Sequence, residues 1–516
     1  MLQNRFDKKL AWLIGLSTLL RLVLAASVEL GNDEVYYWTY ALYPDWSHFD
    51  HPPLVGFFIQ FFSFNLLFDS EVFIRLSSVL FAGLNTWLFF QIGKQIKNEL
   101  TGWYAALLYT ASLYTSLIAG VFILPDTPQV FFWLLAIYFM VDILPDRDLV
   151  NSSKRKMLFL GLIIGLGMLS KYTSIFLWGG AVLFILFYNR LWLKTYQLYL
   201  SIFISLLMLI PVLYWNLQND FISFTFQGER ANIFSSALRF DFLGVEIGGQ
   251  FIYQNPFVFI LVWIAVWKAF FKNDFIEKKK LALLLFLSLP LIGTFLFLAL
   301  FRHTLPHWTG PAYLSLMLIT STYLAGKYQK KIHWAVKSAL VFFLVLMVLA
   351  VSEINFGLLN TNKIANKDLS LDMYGWKQLG EKTKLLFDQD IADNEMDTEA
   401  PILSWRWFPA AHLDMYVAKP NGKVVKAIGS LERIHKYAWM NKQRGGFEKG
   451  MDAYFITFST DFEDPNKNIS AFFEQILLPD TIRIERRGII VKEAYVYRLK
   501  NLVRIPQNEL DVIQEK

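Results

Sequence analysis

PLVGFFIQFFSFNLLF (53–68) is the stretch on which the topology of this chain turns. It is apolar enough to be taken for a membrane span, and counting it as one would invert every loop that follows. The cationic residues argue against that count. One set of loops holds Arg5, Lys8 and Lys9; Lys94 and Lys97; Arg147, Lys154, Arg155 and Lys156; Arg190 and Lys194; Lys268, Lys272, Lys278, Lys279 and Lys280; and Lys327, Lys330 and Lys331. The alternate loops hold only Arg75, Lys171, Arg230, Arg239 and Arg302. That is nineteen against five, and positive loops face the cytoplasm. The bias survives only if 53–68 lies at the outer interface or against the bundle as a helix, without crossing.

Outward from this segment the composition fits a polytopic membrane protein. The 516 residues are 55% hydrophobic and 18% charged, with mean hydropathy +0.37. A soluble chain carries about 25% charge. The apolar residues gather in runs of bilayer length. Expected spans are 10–28, 72–93, 101–120, 122–144, 157–170, 172–189, 196–215, 250–271, 281–301, 307–325 and 333–353, about eleven. The net charge of +6 sits in short loops and is no nucleic-acid signature, and the absence of cysteine excludes disulfides. The expected fold is an all-α polytopic bundle, 1–356, whose first outer loop is 29–71 with the interfacial helix 53–68. An extracytoplasmic α/β domain, 357–516, follows. In it AYFITFST (453–460), TIRIER (481–486) and AYVYRL (494–499) read as strands, and LDMYGWKQLGEKTKLLF (371–387) as an amphipathic helix.

The polar residues concentrate on the predicted outer side. Leu22 to Ile74 contains no Lys or Arg, yet GNDEVYYWTYALYPDWSHFDHPPL (31–54) carries several carboxylates and two histidines. Carboxylates at a membrane surface without cations nearby in sequence are costly unless used. Asp33 and Glu34 are neighbours, so on a helix they point about 100° apart and cannot share one job. They either complement a helix dipole or supply a catalytic base. Asp50 and His51 precede two prolines and a helix start, where they either cap the helix or hold a cation and a phosphate. Asp126 sits in a Pro-bracketed turn and Lys171 in another. Arg302, His303 and His307 form a basic cluster in a third, suited to phosphate or to anionic headgroups. Arg21, inside the first span, needs a partner in the bundle, expected to be a carboxylate. In the C-terminal domain Trp405, Arg406, His412, His435, Tyr437 and Trp439 set aromatic faces beside hydrogen-bonding groups. Such residues are commonly core; here they are also candidates for the acceptor side of a sugar site.

Asp33-Glu34, FDHPP (49–53), LPDT (124–127), SKYT (170–173) and TLPHW (304–308) together resemble the GT-C superfamily of membrane glycosyltransferases. The resemblance is strongest to the bacterial branch with the lipid A aminoarabinose transferase and the protein O-mannosyltransferases, and covers roughly 10–330. It implies transfer of a sugar from a polyprenyl-phosphate donor to lipid A, another glycolipid, a glycan or a protein hydroxyl, on the outer face of the cytoplasmic membrane. It implies Asp33 as base, with Glu34 and Asp126 in the catalytic set, and a donor phosphate held by His51, Lys171, Arg302 and His307. Asp50 matches a carboxylate that binds a divalent metal; the family's further metal-binding histidine has no counterpart in 216–249. His51 stands where the family has a lysine. The rival class is a transporter or flippase of envelope lipids. The clustering of polar residues at one face and the long outer domain argue against it.

Overall fold

The computed structural model describes residues 3–233, 237–359, 368–508 and 510–511, with side chains from Phe6 onward. The chain packs as two units. The first comprises Met1–Ala25 and Pro44–Met347, the second Ala26–Tyr43 and Val348–Lys516. Residues 26–43, read in sequence as the end of the first span (10–28) and the start of the outer loop 29–71, thus belong with the C-terminal unit. The second boundary falls inside the helix Trp334–Phe356.

The first unit is helical. Among the described residues six helices are long and apolar enough to cross a membrane: Phe6–Ser27, Leu76–Ile96, Asp126–Ile143, Tyr196–Gln218, Lys278–Leu298 and Trp334–Phe356. A seventh arises if the pair Phe240–Tyr253 and Pro256–Phe271, bent by 102°, is counted as one span. The sequence reading expected about eleven. Other expected segments are helical but short or polar: Glu99–Ala111, Ile175–Tyr188 and Gly310–Lys327. Gly310–Lys327 buries Ser315, Thr320, Ser321 and Thr322 against protein, so its composition need not match lipid. The expected single span 250–271 is broken at Asn255, whose φ of 69° is left-handed and whose amide donates to the carbonyls of Ala111 and Ala339 at 2.9 Å each. Pro256 then starts the next helix.

Residues 53–68 form a shorter helix than expected, Leu54–Phe62, nine residues or about 14 Å. Phe64, Asn65 and Leu66 follow in the left-handed region and close the turn, with Asn65 N–H donating to Gln60 O at 2.7 Å. Val55, Gly56 and Ile59 are buried, whereas Phe61, Phe64 and Leu67 are exposed. Arg21 finds hydroxyls where the sequence suggested a carboxylate. Its guanidinium donates to Ser17 Oγ at 3.0 Å and to Ser116 Oγ at 2.9 Å.

The second unit is built on a six-stranded mixed sheet: β1 Ile402–Ser404, β2 Val425–Ala427, β3 Ala453–Phe458, β4 Phe473–Ile476, β5 Asp480–Arg486 and β6 Ile489–Leu502. The order is β2-β1-β3-β6-β4, with β5 also on β6; β1 is parallel to β2 and β3, and β6 antiparallel to β3, β4 and β5. All three expected strands are present. The expected helix starts late, at Trp376, after Gly375 adopts the left-handed conformation, and runs to Ala392. The helix Asn32–Leu42 packs in this unit, Tyr36 lying 4.8 Å from Trp407 and 5.8 Å from His435 between ring centroids.

Candidate functional site

In the first unit, Asp126 opens the helix Asp126–Ile143 and Lys171 follows the last residue of the helix Asn151–Ser170. Forty-five residues apart in sequence, they meet as a buried ion pair of 2.8 Å, their side chains 2% and 8% exposed. Tyr114 donates its hydroxyl to the other carboxylate oxygen at 2.9 Å. That ring is admitted by Gly310, where any Cβ would stand 2.3 Å from it. A carboxylate at a helix N-terminus is also favoured by the dipole. Lys171, read in sequence as a lone cation, is therefore neutralised.

Lys171 also lines a cavity of about 430 Å³. His51, Arg230, Arg302 and His303 share it, with Gln227 and an apolar wall that includes Phe176, Phe295, Leu298 and Trp308. Arg230 ends the helix Ile222–Ala231. Its guanidinium sits 5.3 Å from the Phe226 ring centroid and 5.2 Å from that of Trp308. No carboxylate pairs with it among the described residues. Arg302 donates Nε–H to Asn232 O at 2.7 Å, leaving other donors of the fork. Sequence reasoning listed Arg230 only among the outer cations; nothing in its surroundings marked it.

The turn 302–308 separates its basic residues. Arg302 and His303 line the cavity; His307, in the turn Pro306–Thr309, lies within electrostatic reach of Asp126, Lys171 and His51. Burial pushes the imidazole of His51 down to about 4, so it is neutral at pH 7. Neutral imidazoles offer an N–H to an oxyanion but no charge. A second polar network lies deeper: Thr304, on the cavity wall, donates to Glu246 Oε2 at 2.7 Å, Gln250 donates to Glu246 Oε1 at 2.8 Å, and Tyr313 donates to Gln250 at 2.7 Å.

Asp50 lies with a carboxylate oxygen 4.0 Å from His51 Nε2, and its backbone carbonyl accepts from Gln227 Nε2 at 2.6 Å. The helix Ile222–Ala231 thus reaches Asp50 with an amide where a metal site would need an imidazole or carboxylate. Among the described residues no three His, Asp or Glu side chains gather as a metal-ligand set. Asp50 with His51 falls short of a divalent-cation donor set.

In the second unit, Asp33 is exposed on the first turn of Asn32–Leu42, while Glu34 is buried and accepts the Gly31 N–H at 2.9 Å. Trp405 and Arg406 line a pocket of about 300 Å³, with Arg406 ion-paired to Asp461 and, at 3.0 Å, to Glu463. His412 stacks on Trp376, centroids 4.1 Å apart, and bonds Asn32 through Nε2 at 2.9 Å. His435 stacks on Trp407, and Tyr437 donates to the buried Asp414 at 2.9 Å. Trp439 is half-buried in the helix Tyr437–Gln443. Of the six acceptor-side candidates, only Trp405 and Arg406 line this pocket; Tyr437 is core.

Residues 50–215 match the family described as dolichyl-phosphate-mannose-protein mannosyltransferase. His51, Asp126 and Lys171 fall inside the match; Asp33, Arg230 and Arg302 fall outside it. A lipid A galacturonosyltransferase of Rhizobium johnstonii, RgtD, is 23% identical over 301 residues, which are 58% of this chain and 61% of that protein. The fold is similar to that of ArnT from Cupriavidus metallidurans, with TM-score 0.61 and 14% identity over 95% of this chain and 98% of that one. The chain is thus similar, over part of its sequence and in its fold, to membrane glycosyltransferases of the GT-C superfamily.

Proposed function

We propose that this protein transfers a sugar from a polyprenyl-phosphate-linked donor to a hydroxyl on a glycolipid, glycan or protein, at the outer face of the cytoplasmic membrane. The reading is carried by the first cavity, where Lys171, Arg230 and Arg302 share one space with apolar side chains. An amphiphile with an anionic head and a hydrocarbon tail needs that combination. Lipid A transfer by a relative 23% identical supports a sugar acceptor of the envelope.

In this mechanism Arg230 and Arg302 hold the donor phosphate through charge-assisted hydrogen bonds, and the N–H of His51 adds a donor. Asp126 fixes Lys171, with His307 beside the pair. Asp33 takes the proton from the acceptor hydroxyl. The acceptor oxygen attacks the anomeric carbon, the bond from that carbon to the phosphate oxygen breaks, and its electron pair leaves with the phosphate. The growing negative charge is stabilised where the guanidinium groups already stand. No second acid is needed, because a phosphate is a good leaving group once neutralised. Direct displacement inverts the anomeric centre.

The test uses purified protein with a polyprenyl-phosphate sugar. Asp33→Asn should lower turnover by roughly 10²–10⁴-fold, the range for general-base catalysis, with donor binding retained. Turnover within tenfold of wild type removes Asp33 from the chemistry. Orientation is checked separately: a single cysteine at the exposed Lys449 should react with an impermeant thiol reagent in intact spheroplasts. Labelling only after lysis reverses the topology.

A further inference from the structure

The 300 Å³ pocket of the second unit contains a buried ammonium that nothing in the transfer reaction above uses. Lys492 lies on β6 opposite Ile484 of β5 and is 4% exposed. Its Nζ stands 4.0 Å from the Trp376 ring centroid and 4.8 Å from that of Phe458. Among the described residues it has no hydrogen bond or ion pair. Glu29 and Asp372 act on it only at longer range. Glu29 is moreover engaged by the backbone N–H groups of Trp376 and Lys377, at 2.8 and 3.0 Å.

A second donor in the same pocket is also unsatisfied: Trp405 Nε1 is buried without an acceptor. A buried ammonium that lines a cavity without a hydrogen bond is costly unless a ligand supplies an acceptor oxygen. The Trp376 ring is already engaged by His412 and Lys492, so it is no free platform. The Trp405 ring is half-buried, packing against the core cluster that includes Leu403, Ile428 and Phe455 while also lining the pocket. Around these lie the hydroxyls of Ser404 and Thr457 and the carboxylates of Asp368 and Asp372, which can receive hydrogen bonds from sugar hydroxyls. The volume lies at the low end for small-molecule sites.

We infer that this pocket binds a single pyranose ring, its C–H face on Trp405 and one of its oxygens accepting from Lys492. A flat apolar face with a rim of acceptors is what distinguishes a sugar from a planar anion or an acyl chain. Its service as an acceptor subsite rests on the glycosyl-transfer reading; the binding itself does not.

The full chain, in a detergent without a sugar headgroup, is titrated with methyl α-D-glucopyranoside and with glucuronate by saturation-transfer NMR. Wild type should bind at least one, on the order of millimolar. Lys492→Met and Trp405→Leu should each weaken binding about tenfold or more, the loss of one charge-assisted or stacked contact, and leave donor cleavage unchanged. Preference for glucuronate places its carboxylate on Lys492; equal binding places a hydroxyl there, and either supports the pocket. No binding of either probe up to roughly 100 mM, or affinity within twofold of wild type in both variants, overturns it. Should Lys492→Met misfold, Trp405→Leu, at a half-exposed position, decides alone. Wild type that binds sugar but cleaves no donor refutes the transfer reading and leaves the pocket standing.

Discussion

Lys171 and Lys492 are both buried ammonium groups, one in each unit, and they are accommodated in opposite ways. Lys171 is compensated by a carboxylate at 2.8 Å, which Tyr114 also serves. Lys492 is compensated by ring faces and distant charges. An ion pair in a low-dielectric interior is self-contained: neither partner can be removed without stranding the other. A lysine over aromatic rings retains hydrogen-bonding capacity and is open to a ligand. The first arrangement builds a wall; the second leaves a reactive or binding group in place.

The largest expected effect separates the two. Lys171→Met strands Asp126 and should cost about 3–5 kcal/mol of stability, whereas Lys492→Met should cost little, since it exchanges a cation–π contact of up to about 2 kcal/mol for relief of desolvation. Thermal unfolding of the full chain, followed by tryptophan fluorescence, reads both. Pairing Asp126→Asn with Lys171→Met should recover most of the loss. Equal losses in the two single variants would erase the distinction.

The next effect is a pH dependence. Burial lowers the Lys492 ammonium from 10.5 to about 8. Below about pH 8 both folded and unfolded chains carry the proton, and the full penalty of burying charge is present. Between about 8 and 10.5 the unfolded chain binds more protons, so stability rises with pH. The gain is roughly 3 kcal/mol. Tyrosines and other lysines titrate nearby, so the difference between wild type and Lys492→Met is the measured quantity. A flat difference across pH 7.5–10.5 would mean that Lys492 meets water in solution.

Arg302 sharpens the comparison from the membrane side. Unlike Lys171 it is not paired with a carboxylate among the described residues, and its Nε–H alone is committed, to Asn232 O. Arg302→Ala should weaken polyprenyl-phosphate binding by about ten- to a hundredfold, or roughly 1.5–3 kcal/mol, with no comparable loss of stability. Unchanged affinity would make Arg302 a headgroup anchor.

The parts of the site carried by local sequence were legible. Asp126 and Lys171 stand in short turns between apolar runs, where a charge has no local reason to be. Their partnership was not legible, because it depends on two helix ends meeting. Arg230 was passed over because it ends an unremarkable polar helix. Lys492 was missed for a different reason: it lies just before the strand expected at 494–499, and its burial follows from what packs on that face of β6, which starts earlier, at Ile489. The helix Asn32–Leu42 was grouped with the membrane segment that follows it, yet its aromatic residues pack on Trp407 and His435, hundreds of residues away. Six or seven helices have the length and hydropathy of a span against the eleven expected; a helix lined by protein, such as Gly310–Lys327, need not have them, since hydropathy reports contact with lipid and not the crossing itself.

The smallest expected effect concerns the adjacent carboxylates, read together in sequence as catalytic. Glu34 Oε2 accepts the Gly31 N–H and closes the first turn of Asn32–Leu42, and the side chain is buried. Asp33, on the same turn, is exposed. A capping contact is worth about 1 kcal/mol, so Glu34→Ala should lower the melting temperature of the full chain slightly, while Glu34→Gln, which retains an acceptor oxygen at the same reach, should lower it less. Turnover in both should fall only as far as the folded fraction does. Asp33→Asn should show the reverse, an unchanged melting temperature with lost turnover. If instead Glu34→Gln abolishes transfer in protein that melts like wild type, the negative charge at 34 is needed in the chemistry, and the division of labour between these two neighbours runs the other way.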